Sequence, residues 1–305
     1  MATELSEIDG IGPTTEEKLN DMGIDSVDAL AGADISTVAS AGVSDKRAKD
    51  FIDKANQSAV IIQSGFEVED EYNSYDTIST GIPQLDACIE GGFEDQAVVS
   101  VYGSDGSGKT QLVKKMLVEA VNQTGEDAIY IETEKNRFRP KRIIAYNDGD
   151  DSILKKIHRV KAYDLDRQEN SYSAVVDQFE NASIVVVDSL VARFRLSDDY
   201  TDRSTFTERS AVMGRHLQKL EKLAEDLNCP VLFTNQIYGN PDQYGKKERQ
   251  YGGSLVKHTA QFFIYMKSET GEMHSCNIEK HPSEGNNKVM INITDNDIVG
   301  TSSSK

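Results

Sequence analysis

Val101-Tyr-Gly-Ser-Asp-Gly-Ser-Gly-Lys-Thr110 decides how this 305-residue chain is read. Gly103, Gly108, Lys109 and Thr110 stand at the spacing G-x-x-x-x-G-K-[ST], a motif that needs a strand before it and a helix after it. Both contexts are present. The apolar run 97–102 reads as a buried strand. Residues 111–120 have helical spacing, with Leu112, Met116 and Leu117 on one face. Ser104, Asp105, Gly106 and Ser107 fill the loop, and Gln111 follows it. The glycines let successive N–H groups turn inward on phosphate oxygens, and the new helix adds its positive end to the same anion. Lys109 then reaches the β- and γ-phosphates of ATP, and the Thr110 hydroxyl takes Mg²⁺.

Beyond the loop, apolar strands alternate with helical stretches, the pattern of a mainly parallel sheet covered on both faces. The strands are 128–132, 183–188, 230–236 and 261–266, and 207–227 is a helix over them with Met213, Leu217, Leu220 and Leu223 at helical spacing. Asp188 ends an apolar run and so lies at the carboxyl end of a strand, where open α/β sheets bind ligands. A carboxylate there supports Mg²⁺ through its water shell. Ile131-Glu-Thr-Glu134 ends another strand. Alternation sets Glu132 and Glu134 on one side with Glu134 further out, so Glu134 is the carboxylate expected to polarise an attacking water. Gln236 closes 230–236, where its amide can hydrogen-bond the γ-phosphate or that water.

The segment 237–253 is long and glycine-rich, ending in Gly252 and Gly253. Lys246, Lys247 and Arg249 are the densest basic cluster of the C-terminal half, with Tyr244 and Tyr251 interleaved. Cations for phosphates and rings for bases make a surface for single-stranded nucleic acid; a solvated loop of the same composition is the alternative. A weaker candidate is 194–205, whose Arg195 and Arg203 are diluted by three aspartates. Residues 1–60 read as a small all-α module with helical periods at Val27–Ala31, 35–41 and 46–59, the last with Ala48, Ile52 and Ala55 in register. Gly10, Gly12 and Pro13 form a hairpin before a helix that carries Lys18. Such a helix-hairpin-helix exposes N–H groups that hold a DNA phosphate, and modules of this kind also dock proteins. Residues 61–77 read as an acidic, aperiodic linker, 78–300 as the core and 301–305 as a disordered tail.

The chain carries 33 Lys+Arg against 51 Asp+Glu, a net charge of −18. This excludes a broad polyanion-binding surface, so nucleic acid would be held by local basic loops, and it suits solubility in molar salt and a halophilic source. Cys88, Cys229 and Cys276 are scattered without a C-x-x-C pair, which points to neither a disulfide framework nor a zinc site. With no signal peptide and no apolar run of membrane-spanning length, a cytoplasmic protein with no membrane partner is expected.

Taken together, several stretches resemble archaeal RadA recombinases. They are Gly-Ser-Asp-Gly-Ser-Gly-Lys-Thr-Gln (103–111), Ile-Glu-Thr-Glu (131–134), Phe-Arg-Pro (138–140), Val-Val-Val-Asp-Ser-Leu (185–190), Asn-Gln-Ile (235–237), Ser-Thr-Gly-Ile-Pro-Gln-Leu-Asp (79–86) and the N-terminal glycine hairpin. The likeness covers nearly the whole chain, in the same order. It implies an α/β fold: a RecA-like ATPase core with a mainly parallel sheet, plus an all-α helix-hairpin-helix domain. It also implies a protein of DNA repair in the nucleoid that uses ATP and Mg²⁺. Such a protein polymerises on single-stranded DNA, exchanges strands with double-stranded DNA, and is loaded by mediator proteins. By the same resemblance ATP lies between protomers, Glu134 is the catalytic carboxylate and Arg139 stacks near the adenine. Gln236 passes the state of the γ-phosphate to the second DNA loop, 237–253, with 195–205 as the first. Phe66 is the peg that docks into the next protomer of a helical filament or ring. Glu69 stands where that peg carries a small residue, which motivates a second reading: a paralogue that loads or regulates another recombinase and hydrolyses little ATP. A ring-forming RecA-like signalling ATPase is a third.

Overall fold

The computed structural model describes residues 4–58, 63–196, 206–238, 249–282 and 287–301. They divide between Ser74 and Tyr75 into two compact units.

In the first unit a 3₁₀ turn, Leu5–Glu7, precedes α1 (Pro13–Asp21), α2 (Val27–Ala31), α3 (Ile35–Ser40) and α4 (Asp45–Ser58). Start signals in the sequence explain where the helices begin. Pro13 opens α1 behind Gly12, where a missing N–H costs nothing, and the Ser26 hydroxyl caps α2 by accepting the Ala29 N–H at 3.2 Å. The four helices close over Leu5, Leu19, Leu30, Val38 and Phe51, all buried. The expected register of α4 needs one change. Ala48 and Ala55 point inward, but Phe51 takes the centre and Ile52 is only half-buried, because positions 51 and 52 share the face and the larger ring gains more by burial.

Residues 65–74 overturn the expectation of an aperiodic tether: they form α5 (Gly65–Ser74), which has no buried residue. Periodicity could not reveal a helix without an apolar face. Its signal is a capping box, in which Ser64 N–H donates to Glu67 Oε2 at 2.6 Å and Glu67 N–H donates to Ser64 Oγ at 3.3 Å.

The second unit opens with a small hairpin of β1 (Thr77–Ile78) and β2 (Phe93–Glu94) around α6 (Pro83–Asp86), so Thr77 belongs to the fold and not to a linker. Then follow β3 (Val98–Gly103), α7 (Lys109–Thr124), β4 (Ala128–Glu132), α8 (Pro140–Tyr146), β5 (Ile157–Lys161), α9 (Leu165–Val176), β6 (Ile184–Asp188) and α10 (Ala192–Leu196). The chain continues through α11 (Phe206–Asp226), β7 (Val231–Tyr238), β8 (Arg249–Gln250), α12 (Gly253–Thr259), β9 (Phe262–Ser268), β10 (Met273–Lys280), β11 (Asn287–Ile293) and β12 (Ile298–Thr301). One sheet runs β12-β11-β10-β9-β3-β7-β6-β4-β5, with β8 paired to β7. Pairings from β9 to β5 are parallel, whereas β9 to β12 form an antiparallel extension. The spacing reading did not place this extension or β5, whose mixed polar composition reflects an edge. Thr301 ends β12 and is therefore not part of a tail.

The continuous apolar strands are buried on both faces, and period-two alternation sorts their residues. Along β4, Ala128 and Tyr130 join one core with Leu112, Met116 and Leu117 of α7. Ile129 and Ile131 join the other, with Tyr172 of α9 and Met213, Leu217 and Leu220 of α11. No helix among the described residues is long and apolar enough to cross a membrane.

Phe51→Ala removes the largest ring of the small helical core, and by the usual cost of such a truncation, about 3–5 kcal/mol, the N-terminal unit should unfold well before the sheet unit. Denaturation followed by far-ultraviolet circular dichroism should split into two transitions in the variant.

Candidate active site

Because β3, β7, β6 and β4 are neighbours, their carboxyl ends meet along one edge, with Gly103 opposite Gln236 and Glu132 opposite Asp188. Between β3 and α7 the phosphate loop follows a path that only glycine permits at two points. A Cβ on Gly103 would lie 2.1 Å from the Met266 carbonyl oxygen, and one on Gly108, where φ is +94°, would lie 2.4 Å from Ile293 Cδ1. Lys109 Nζ donates to the carbonyls of Gly103 at 3.0 Å and Ser104 at 2.7 Å, with the buried Ser107 hydroxyl 3.4 Å away. Burial pulls the Lys109 ammonium below its ordinary pKa. The first N–H groups of α7 have no partner inside the helix, and they begin at a cleft of about 410 Å³ bordered by Asp105, Gly106, Gly108, Lys109, Thr110 and Gln111.

Asp188 ties the cleft together. Its Oδ2 accepts from Thr110 Oγ1 at 3.0 Å and from the Tyr130 hydroxyl, and its Oδ1 accepts from Thr234 Oγ1 at 2.6 Å. The carboxylate is buried, and burial together with the Asp188 charge raises the Tyr130 pKa far above that of a free phenol, so Tyr130 stays a donor. Removing the acceptor would strand these hydroxyls at about 1–3 kcal/mol each.

Glu134 lines the cleft and Glu132 does not. Strand alternation is not the reason, since β4 ends at Glu132. Glu132 is wholly buried and accepts from Phe138 N–H at 2.8 Å and the Tyr163 hydroxyl at 2.5 Å. Past the turn, Glu134 accepts from Ser189 Oγ at 3.2 Å and from Arg137 Nη2 at 2.8 Å. Arg139 caps α8 and borders the cleft with an exposed side chain. Gln236 also borders it, and β7 runs two residues further than expected, to Tyr238. Arg137, Lys114, Ser189 and Thr234 line the cleft as well, beside Asn136, and spacing did not single them out. Their signals were faint: an arginine three residues past Glu134, a lysine inside the apolar face of α7, and hydroxyls near Asp188 and Gln236.

These donors fit a magnesium nucleotide. Among the described residues no group of three or more His, Cys, Asp or Glu could cage a metal alone. A hydroxyl backed by one carboxylate suits an ion that keeps its waters and shares phosphate oxygens.

The nucleic-acid candidates divide. Arg203, Tyr244, Lys246 and Lys247 lie outside the described residues, as do the side chains of Arg195 and Arg249. Tyr251 packs against the second core with Arg209 5.4 Å over its ring. Its N–H donates to the Gln236 carbonyl at 2.8 Å, and Asn235 Nδ2 donates to the Tyr251 carbonyl at 2.8 Å. Gly252 and Gly253 then start α12. In the first unit Gly10 is exposed with φ +98°, Arg47 Nη2 donates to its carbonyl at 3.0 Å, and Gly12 has open space beside it. Lys18 Nζ sits over Gly42, 3.1 Å from where a Cβ there would lie. Phe66, on the first turn of α5, is 81% exposed.

Beneath the cleft, Lys114 Nζ donates to the Arg137 carbonyl at 2.6 Å, and burial pushes its pKa from 10.5 down to about 8. Between about pH 8 and pH 10.5 the unfolded chain therefore holds this proton more firmly than the folded one, and the contribution of Lys114 to stability rises with pH. Below about pH 8 its penalty is constant. In Lys114→Met that slope should vanish, seen as a parent-minus-variant difference in denaturation midpoint that changes only across this window.

Comparison with known proteins matches residues 73–301 to the Rad51 family and residues 2–57 to the SAM-like helix-hairpin-helix tandem. The chain is 32% identical over 315 residues to the DNA repair and recombination protein RadA of Methanoculleus marisnigri, covering 94% of this chain and 96% of that one. It is 31% identical to the protein of the same name from Methanococcus maripaludis and 32% identical to that of Methanococcus voltae, each match covering 98% of this chain and 99% of the other. A family match across the whole sheet unit, with relatives aligned nearly end to end, makes this chain a member of the Rad51 family.

Proposed function

We propose that the chain is a DNA-dependent ATPase that polymerises on single-stranded DNA and carries out homologous pairing and strand exchange with duplex DNA. The observation that carries this reading is the Gln236 strand. Its side chain borders the nucleotide cleft, and its carbonyl is bonded to Tyr251 at the end of the basic segment. The names of the relatives support DNA as the polymer and its repair and recombination as the setting, which we place at the nucleoid in the cytoplasm.

Lys109 and the N–H groups of Gly106, Gly108 and Thr110 hold the phosphates. Thr110 and Asp188 would hold a Mg²⁺ ion, which would supply charge neutralisation for the phosphates of ATP. Glu134 accepts a hydrogen bond from the attacking water, Gln236 donates to the γ-phosphate, and Arg139 covers the adenine. Gln236 then passes its position along β7 to 237–253, whose Lys246, Lys247 and Arg249 with Tyr244 take single-stranded DNA. Arg195 and Arg203 supply a second contact, the Gly10–Gly12 turn with Lys18 grips a phosphate of the DNA backbone, and Phe66 joins protomers. A second reading, the regulatory paralogue that serves another recombinase, is favoured by Glu69 beside that peg.

ATP hydrolysis with and without single-stranded DNA, in molar KCl with Mg²⁺, tests the proposal: stimulation by DNA is expected, and turnover indifferent to DNA moves the weight to the paralogue. Lys109→Ala should lower turnover by roughly 10²–10³-fold with an unchanged melting profile. Asp188→Asn should raise the half-saturating Mg²⁺ concentration about tenfold or more, read from a magnesium titration of turnover.

A further inference from the structure

Arg137 has no task in the mechanism above, yet its guanidinium stands in the cleft. Nη2 donates to Glu134 Oε2 at 2.8 Å, and both residues line the same wall system as Lys109, Thr110, Asp188 and Gln236. The side chain is 43% exposed, whereas the backbone below it is fixed from several directions. Asn136 turns the chain through a left-handed φ of +66°. Lys114 Nζ holds the Arg137 carbonyl at 2.6 Å, and the next N–H, of Phe138, donates to buried Glu132 at 2.8 Å. The Phe138 ring packs 5.4 Å from that of Tyr130, with Arg159 5.6 Å over it.

Two electrostatic facts give this arm a direction. Arg137 and Lys109 line the same cleft, and after burial, the main cause, the Arg137 charge also lowers the Lys109 pKa against the larger opposing pull of Asp105 and Asp188, so an anion in the cleft is drawn by both cations. The bond to Glu134 is partly solvated, and an ion pair of that kind is weak. A terminal phosphate offers more charge and a pair of oxygens matched to the guanidinium fork.

We propose that Arg137 is a further catalytic residue: a γ-phosphate ligand supplied from the chain's own cleft, whose pairing with Glu134 keeps that carboxylate occupied until a triphosphate draws the guanidinium away. The inference rests on the nucleotide reading given under Proposed function. It makes the site sense the third phosphate twice, because the same swing that binds the phosphate releases Glu134 to orient water. With ADP the guanidinium has no such partner and stays on Glu134.

The test is calorimetric binding of ATPγS and of ADP, each with Mg²⁺, to the full chain and to Arg137→Ala and Arg137→Lys, beside steady-state kinetics. The expected result is that Arg137→Ala binds ADP within about twofold of the parent but loses roughly tenfold of its preference for ATPγS, with kcat falling at saturating ATP. Arg137→Lys, which keeps the charge without the fork, should recover only part of the preference. If the parent binds both nucleotides and Arg137→Ala keeps the parent's ratio, the proposal is overturned alone. Equal loss of both ligands marks a merely structural role and also overturns it. A parent that binds neither nucleotide overturns the nucleotide reading, and this proposal with it.

Discussion

The Asp188 carboxylate is the constraint on which the site depends. It gathers hydroxyls from Thr110 on α7, Tyr130 on β4 and Thr234 on β7, joining three elements that no local sequence signal connects. A buried charge is tolerated only when its oxygens are saturated with donors, and the phenol and hydroxyls do this without adding an opposing charge. The side chain is therefore held by neutral donors alone at the place where a magnesium ion would need it. The same bonds fix the start of α7 against the sheet, so the geometry of the glycine loop and the electrostatics of the cleft have one origin.

Much of this was readable beforehand, for physical reasons. The strands buried on both faces are unbroken apolar runs, and the glycine loop obeys a spacing that phosphate geometry imposes, so β3, α7, β4, β6, β7, β9 and α11 emerged from sequence with ends correct to within a few residues. What escaped is what spacing does not encode. The polar edge strand β5 and the amphipathic extension β10 to β12 lack such runs, and α5 is held by a two-residue cap in place of an apolar face. At the site, Lys109, Thr110, Glu134, Asp188 and Gln236 were legible as strand-end or loop residues. Arg137 and Lys114 were not, because a turn bonded to α7 brings them to the cleft.

The distribution of charge follows the same division. The chain is acidic overall, at −18, but Lys109, Lys114, Arg137 and Arg139 converge on one cleft. In molar salt the screening length is about 3 Å, which removes steering across the surface. Contacts such as Lys109 with Ser104 at 2.7 Å and Arg137 with Glu134 at 2.8 Å lie within that length. A highly charged exterior and ionic contacts in the cleft are therefore compatible, since pairs in direct contact are closer than the screening length.

The position of β3 in the sheet has a consequence for how the molecule comes into being. Its two neighbours arrive much later in the chain: Val98 pairs with Val231 of β7, and Val99 with Phe262 of β9. On a ribosome adding roughly 5–20 residues per second, the strand that carries the phosphate loop waits many seconds with both edges unpaired. The small N-terminal unit, built from contacts close in sequence, can fold in that interval. The nucleotide loop is thus among the first parts of the core to be synthesised and among the last to acquire its shape, which exposes an aggregation-prone apolar strand throughout the nascent stage.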